Sequence, residues 1–161
     1  MAKKNYGKDW EDQFKKAFRR TFPNEFILRL KDDTSRYRQA SKNPCDFICH
    51  IDGTLYMVEA KCHYGNTFPF SELSQFDELS EAWSGLKDVK RCVVLWMIDH
   101  DLVLCAPISE IEKMKHAGLK SINIKTFKEY NIIELDSCKK RVFLDVDCTK
   151  MKDVEDMQNA K

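Results

Sequence analysis

The chain contains 161 residues, 43% of them hydrophobic and 33% charged, which is enough for one globular domain with a substantial core. We therefore expect a single domain over residues 1–161, with frayed ends at 1–6 and 151–161. The sequence has no apolar run near the length of a transmembrane helix and no secretory signal, so we expect a soluble, cytoplasmic protein without a membrane partner.

Basic residues are concentrated near the start of the chain, although the formal net charge is only +1. Residues 1–42 hold 12 Lys and Arg against 6 Asp and Glu, a balance of +6, and the remaining 15 basic and 20 acidic residues give −5. A basic segment of this kind is typical of proteins that bind nucleic acid. The alternative is a solvated basic helix face without a partner.

The first predicted element is a helix over residues 8–21. Apolar side chains recur every four residues and define its buried stripe, which consists of Trp10, Phe14, Phe18 and Phe22. Glu11 lies at the edge of this stripe. Its carboxylate either reaches inward to a metal site or stabilises the first helical turn through the helix dipole.

A short strand is predicted over residues 26–30, and a polar, basic segment then runs to residue 42. The segment leads directly to Asp46, so its cations are expected beside the acidic site described below. Guanidinium groups bind phosphates bidentately, which predicts contacts with a DNA backbone. The predicted DNA contacts are Arg29, Lys31, Arg36, Arg38 and Lys42.

A β-hairpin is predicted over residues 47–60. Two apolar-rich runs, 47–51 and 55–60, flank the dipeptide Asp52-Gly53, which favours a two-residue turn because both positions tolerate positive φ. Apolar side chains occur on both faces of these strands, so we expect the sheet to be covered on both sides.

The register of this hairpin brings two carboxylates together. Asp46 is predicted to lie opposite Glu59, and Lys61 falls on the same face as Glu59 because side chains alternate along a strand. Directly opposed carboxylates repel each other unless a cation lies between them, which favours a divalent metal site. The alternative is an exposed polar face without a ligand.

The seven cysteines lie mostly in apolar strands, as expected for reduced thiols in a core. Cys45 and Cys49, with Cys62 and His63, offer zinc ligation as an alternative. Strand alternation turns the first two away from Asp46, so we favour oxygen ligands over a zinc site.

A second helix is predicted over residues 72–84, with Ser71 as its N-cap. Gln75 lies off the buried stripe of this helix, where its amide either binds a phosphate or an attacking water, or is an ordinary surface group. The remaining predicted elements are core strands at 91–98 and 102–106, a helix at 109–116, and short strands at 121–124, 132–135 and 141–146.

Several of these positions match the motifs of a nuclease family. The matching residues are Gly7-Lys8-x-x-Glu11, Asp46, Glu59-Ala60-Lys61, and the stretch 66–70 running on to Gln75, which together span residues 7 to about 105. In this order the chain resembles the PD-(D/E)XK nuclease superfamily and, within it, the RecU-type Holliday junction resolvases, especially small phage-like members. The resemblance implies an α/β fold with a restriction-endonuclease-like core, a mixed β-sheet flanked by helices.

The resemblance also implies Mg²⁺-dependent hydrolysis of phosphodiester bonds, with Mn²⁺ as a substitute and no organic cofactor. Asp46, Glu59 and the Ala60 carbonyl are implied to hold one or two metal ions. Lys61 is implied to position and deprotonate the attacking water or to stabilise the transition state. Gln75 is implied to steady the water or the phosphate, and Glu11 to add a ligand or orient a metal-bound water.

The implied substrate is branched DNA, a four-way junction in which a homodimer cuts two symmetric strands during recombination and repair. Residues 31–42 are short for the stalk that RecU-type enzymes insert into a junction. This leaves open a PD-(D/E)XK repair nuclease acting on flaps or single-stranded DNA. A non-catalytic DNA-binding module is the other alternative.

Overall fold

The computed structural model describes residues 6–30, 43–82 and 85–157. The helices and strands are, in chain order, α1 (Tyr6–Thr21), β1 (Ile27–Arg29), β2 (Phe47–Ile51), β3 (Thr54–His63), β4 (Thr67–Pro69), α2 (Phe76–Glu81), β5 (Val89–Met97), β6 (Leu102–Pro107), α3 (Ile108–His116), β7 (Ser121–Asn123), β8 (Ile133–Lys139) and β9 (Leu144–Asp147). The chain is thus an α/β protein, as predicted. Among the described residues, no helix combines the length and the apolarity needed to cross a membrane.

The strands form a large mixed sheet. Within the described residues its order is β1-β2-β3-β5-β6-β8-β9, and β4 and β7 form a separate small sheet. β3 and β5 run parallel, whereas β2 and β3 are antiparallel. The predicted hairpin register is confirmed, because Ile48 pairs with Met57. Asp52 and Gly53 have φ values of 47° and 84°, as the two-residue turn requires.

Both faces of the sheet are covered, as the apolar residues on both sides of the hairpin predict. On one face α1 buries its apolar stripe, including Trp10, Phe14 and Phe18. On the other face α3 contributes to a second core that includes Val93 and Ile111. β3 runs between these two apolar layers, and the middle of the strand is fully buried.

The prediction of the second helix is wrong in its extent. Instead of one helix over residues 72–84, a 3₁₀ turn is followed by an irregular step before α2. Leu73 has φ −90° and ψ 74°, outside the helical region. Phe70, at the start of the turn, donates its N–H to the Lys120 carbonyl at 2.9 Å, which ties the turn to the neighbouring small sheet. Gln75 consequently lies immediately before α2 rather than inside a helix.

The prediction of a frayed C-terminal segment is wrong for residues 151–157. Asp156 forms an ion pair with Arg91 at 2.9 Å, and the two side chains are only 0% and 3% exposed. Asp156 also accepts hydrogen bonds from the backbone N–H groups of Arg91 and Ser109. Because buried charges are costly without a partner, this pair holds the segment against the sheet. Residues 158–161 lie outside the described part of the chain.

Candidate functional site

The candidate site lies where β3 extends beyond β2. The pairing of the two strands ends at Val58, whereas β3 continues to His63. In this ladder the backbone groups of alternate β3 residues face β2, so those of Ala60 point into the opening that β2 leaves. The Ala60 N–H donates there to Oδ2 of Asp46 at 2.9 Å.

The sequence predicts that Asp46 continues the ladder and lies opposite Glu59. The structure shows that it does not. Its N–H donates to the Val58 carbonyl at 3.0 Å, while its own carbonyl accepts the Leu30 N–H at 2.8 Å. In a regular antiparallel strand both groups of one residue face the same neighbour. The backbone therefore turns at Asp46, and the contact between its carboxylate and the Ala60 N–H replaces the predicted cross-strand pair.

A polar cavity of about 380 Å³ opens at this point. All five residues predicted to be catalytic line it: Glu11, Asp46, Glu59, Lys61 and Gln75. They come from α1, the turn before β2, β3 and the turn before α2. Arg29, predicted as a DNA contact, lines the same cavity. The fold thus brings distant parts of the sequence together around the end of the hairpin.

The Glu59 carboxylate is the most deeply buried acid of this cavity. Its side chain is 8% exposed, and Oε1 lies 3.1 Å from Nζ of Lys61. The other oxygen, Oε2, is buried and has no hydrogen-bond partner among the described residues. Burial, followed by the nearby charge of Asp46, raises the pKa of Glu59 to about 7.

Apolar side chains account for the burial of Glu59. A second space of about 10 Å³ lies behind the carboxylate, between Gln75 and the side chains of Leu73, Leu79 and Val93. A space of this size holds about one water molecule. The turn before α2 therefore supplies an amide at the site through Gln75 and part of the apolar wall through Leu73, while α2 and β5 supply the rest.

Glu11 reaches the cavity from α1, and Arg29 forms an ion pair with it. The same guanidinium lies 3.7 Å from Oδ1 of Asp12. Burial and the charge of Asp46 raise the pKa of Glu11, while Arg29 and Lys61 act in the opposite direction. The carboxylate of Glu11 thus lies at the cavity, the position that its predicted inward role requires.

The oxygen donors available at this end of the hairpin are of the kind that a hard divalent cation prefers. Asp46 and Glu59 supply carboxylates and Ala60 a carbonyl, which is the ligand chemistry of Mg²⁺. The unpartnered Oε2 of Glu59 fits the same chemistry, because a cation would satisfy it. In the described ranges, no three carboxylate, imidazole or thiol groups are clustered closely enough to define a metal site on their own.

Four residues that line the cavity have no predicted role there: Leu30, Asn43, Cys45 and Ser74. Only Cys45 carried a signal in the sequence, its place next to Asp46. Its thiol donates to the Phe47 carbonyl at 3.3 Å, and burial raises its pKa to about 12. The neutral thiol therefore contributes bulk rather than charge to the wall.

Several predicted contacts are not part of this cavity. His63, a zinc alternative, packs edge-on against Phe68 with ring centroids 5.6 Å apart. Five of the seven cysteines are buried, and none is joined in a disulfide. The other predicted DNA contacts, namely Lys31, Arg36, Arg38 and Lys42, lie outside the described residues.

Comparison with known proteins gives no family for this chain. No protein-family model matches it, and no curated protein matches it.

The raised pKa of Glu59 predicts a pH-dependent contribution to stability. The native carboxyl keeps its proton up to about pH 7, whereas the ordinary value is 4.5. The native state therefore binds more protons between these values, and this stabilising contribution falls as the pH rises through that range. Between pH 5 and pH 8 the wild type is expected to lose on the order of 2 kcal/mol of its free energy of unfolding through Glu59. Glu59→Gln has no ionisable group at this position, so it should not show this loss.

Urea unfolding in EDTA at both pH values measures this difference. The matched control is Glu129→Gln, which removes an exposed carboxylate and should shift little against wild type. A Glu59 variant whose pH dependence equals that of wild type would show that the carboxyl ionises normally in the native state.

Proposed function

We propose that this protein is a Mg²⁺-dependent endonuclease that hydrolyses phosphodiester bonds of DNA on a restriction-endonuclease-like core. The observation that carries the proposal is the buried Glu59 carboxylate, whose Oε2 has no partner among the described residues. It shares a polar cavity with Asp46 and Lys61. A buried carboxylate with a raised pKa beside charged groups in a cleft marks a candidate functional site.

Each residue has a chemical role in this proposal. Asp46, Glu59 and the Ala60 carbonyl would hold Mg²⁺, which supplies the positive charge that activates water and offsets charge on the phosphate. Lys61, held 3.1 Å from Glu59, orients the attacking water and takes part in its deprotonation or stabilises the transition state. Gln75 positions the water or the scissile phosphate. Glu11 adds a ligand or a hydrogen bond.

The proposed substrate is a four-way DNA junction, cut in two symmetric strands by a homodimer. The motif resemblance and the basic character of residues 1–42 support this choice. Recognition would depend on branched shape and backbone phosphates rather than on base sequence. The short segment at 31–42 favours the second candidate, a repair nuclease that acts on flaps or single strands.

A cleavage assay separates these functions. The protein is incubated with a synthetic four-way junction, a flap, a single strand and a matched duplex, each with Mg²⁺ or with EDTA. Paired symmetric nicks confined to the junction, seen only with Mg²⁺, are the expected result. Preferential cutting of flaps or single strands would keep the metal site but change the substrate. Tight binding without metal-dependent cleavage would leave a non-catalytic DNA-binding module.

A further inference from the structure

Two carboxylates of the cavity each form an ion pair with a basic side chain. Lys61 lies 3.1 Å from Glu59 and neighbours it on β3, whereas Arg29 reaches Glu11 from β1, a different element. The Arg29 and Lys61 side chains are similarly exposed, 35% and 30%, but the Glu11 carboxylate is 20% exposed against 8% for Glu59. The pair between Arg29 and Glu11 is thus the more accessible of the two, and it joins two separate elements rather than neighbours on one strand.

We infer that Arg29 exchanges partners during binding: it neutralises Glu11 while the cavity holds no divalent cation, and moves to a DNA phosphate when a cation takes Glu11. This inference rests on the proposed function. It adds that Arg29 weakens the binding of the metal ion and strengthens the binding of the DNA.

The exchange follows from the geometry of the pair. Arg29 engages Glu11 through Oε2, and a divalent cation on that oxygen would compete with the guanidinium for its lone pairs. Two cations on one carboxylate also repel each other. Burial and the nearby charge of Asp46 both disfavour the charged form of Glu11. The carboxylate therefore needs one positive partner, either the guanidinium or the metal ion.

The released guanidinium has an obvious second ligand. Its planar fork of N–H donors matches the oxygens of a phosphate bidentately, and Arg29 lines the cavity in which the scissile phosphate is proposed to bind. Removing Arg29 therefore removes a competitor of the metal and a ligand of the DNA at the same time.

Titration of the metal-free protein with Mn²⁺ alone, followed by calorimetry, tests the first effect. Arg29→Gln is expected to bind Mn²⁺ about two- to fivefold more tightly, the range that a partly exposed ion pair accounts for. The matched control is Arg19→Gln, which removes the same charge from the exposed face of α1 and leaves Mn²⁺ binding unchanged.

The second effect is measured as the affinity for a four-way junction in Ca²⁺. Arg29→Gln is expected to bind the DNA about tenfold more weakly, because charge-assisted bidentate contacts are lost. Arg29→Lys keeps the charge but not the fork. It is expected to retain the wild-type Mn²⁺ affinity and still lose DNA affinity.

A double-substitution cycle isolates the role of Glu11. In a Glu11→Gln background, Arg29→Gln should no longer tighten Mn²⁺ binding. Mn²⁺ affinity that is equal or weaker in Arg29→Gln alone would overturn the exchange while leaving the proposed nuclease standing. A wild-type protein that binds no Mn²⁺ would instead overturn the proposed metal site, and the exchange with it.

Discussion

Asp46→Asn is expected to lower the proposed Mg²⁺-dependent DNA cleavage at least about a thousandfold, because a proposed metal ligand and its negative charge are lost together. The fold should persist. Oδ2 of Asp46 accepts the Ala60 N–H at 2.9 Å, and the carbonyl oxygen of asparagine accepts the same bond. Single-turnover cleavage at saturating enzyme measures the loss without a contribution from DNA affinity.

Asp99→Asn is the matched control for this substitution. Asp99 also accepts a backbone N–H, that of Gly65, at 2.7 Å, but it is exposed and does not line the cavity. The control should retain wild-type cleavage and stability. If both variants cleave DNA at the same rate as wild type, the acidic cavity is not the catalytic site.

Asp156→Ala is expected to lower the free energy of unfolding by about 3 to 5 kcal/mol, the usual effect of leaving one partner of a buried ion pair alone. Arg91 would keep a guanidinium that is 3% exposed and would lose its carboxylate. In a domain of this size the loss corresponds to a fall in Tm of about 6 to 20 °C. Urea unfolding at neutral pH provides the measurement.

An exposed ion pair on the same molecule gives the comparison. Arg20 and Asp145 lie 3.0 Å apart with side chains 47% and 41% exposed, so Asp145→Ala should cost at most about 1 kcal/mol. Equal losses in the two variants would mean that the segment around Asp156 does not hold Arg91 in solution.

The hairpin was predictable because short-range rules determine it. Asp52-Gly53 fixes the turn, the turn fixes the register, and alternation then places Glu59 and Lys61 on one face. The same reasoning fails at Asp46, where a hydrogen bond from the Leu30 N–H turns the backbone out of the ladder. A register worked out for two paired strands cannot include a contact from the residue that follows a third strand.

Contacts between distant segments escaped prediction for the same reason. Nothing in local composition links Arg29 to Glu11 or Arg91 to Asp156, because neither pair follows a periodic pattern. The last residues are also polar and carry few apolar groups, which is the usual mark of a frayed end. Here a buried carboxylate, together with the fully buried side chains of Met151 and Val154, outweighs that composition.

The Arg91 to Asp156 contact has a consequence for synthesis of the protein. The two residues are 65 positions apart, so at about 5 to 20 residues per second the ribosome makes Asp156 several seconds after Arg91. Arg91 also donates to the Ser80 carbonyl in α2, the helix that Gln75 precedes. The link between α2 and the last described residues through Arg91 therefore forms only after residue 156 has been made.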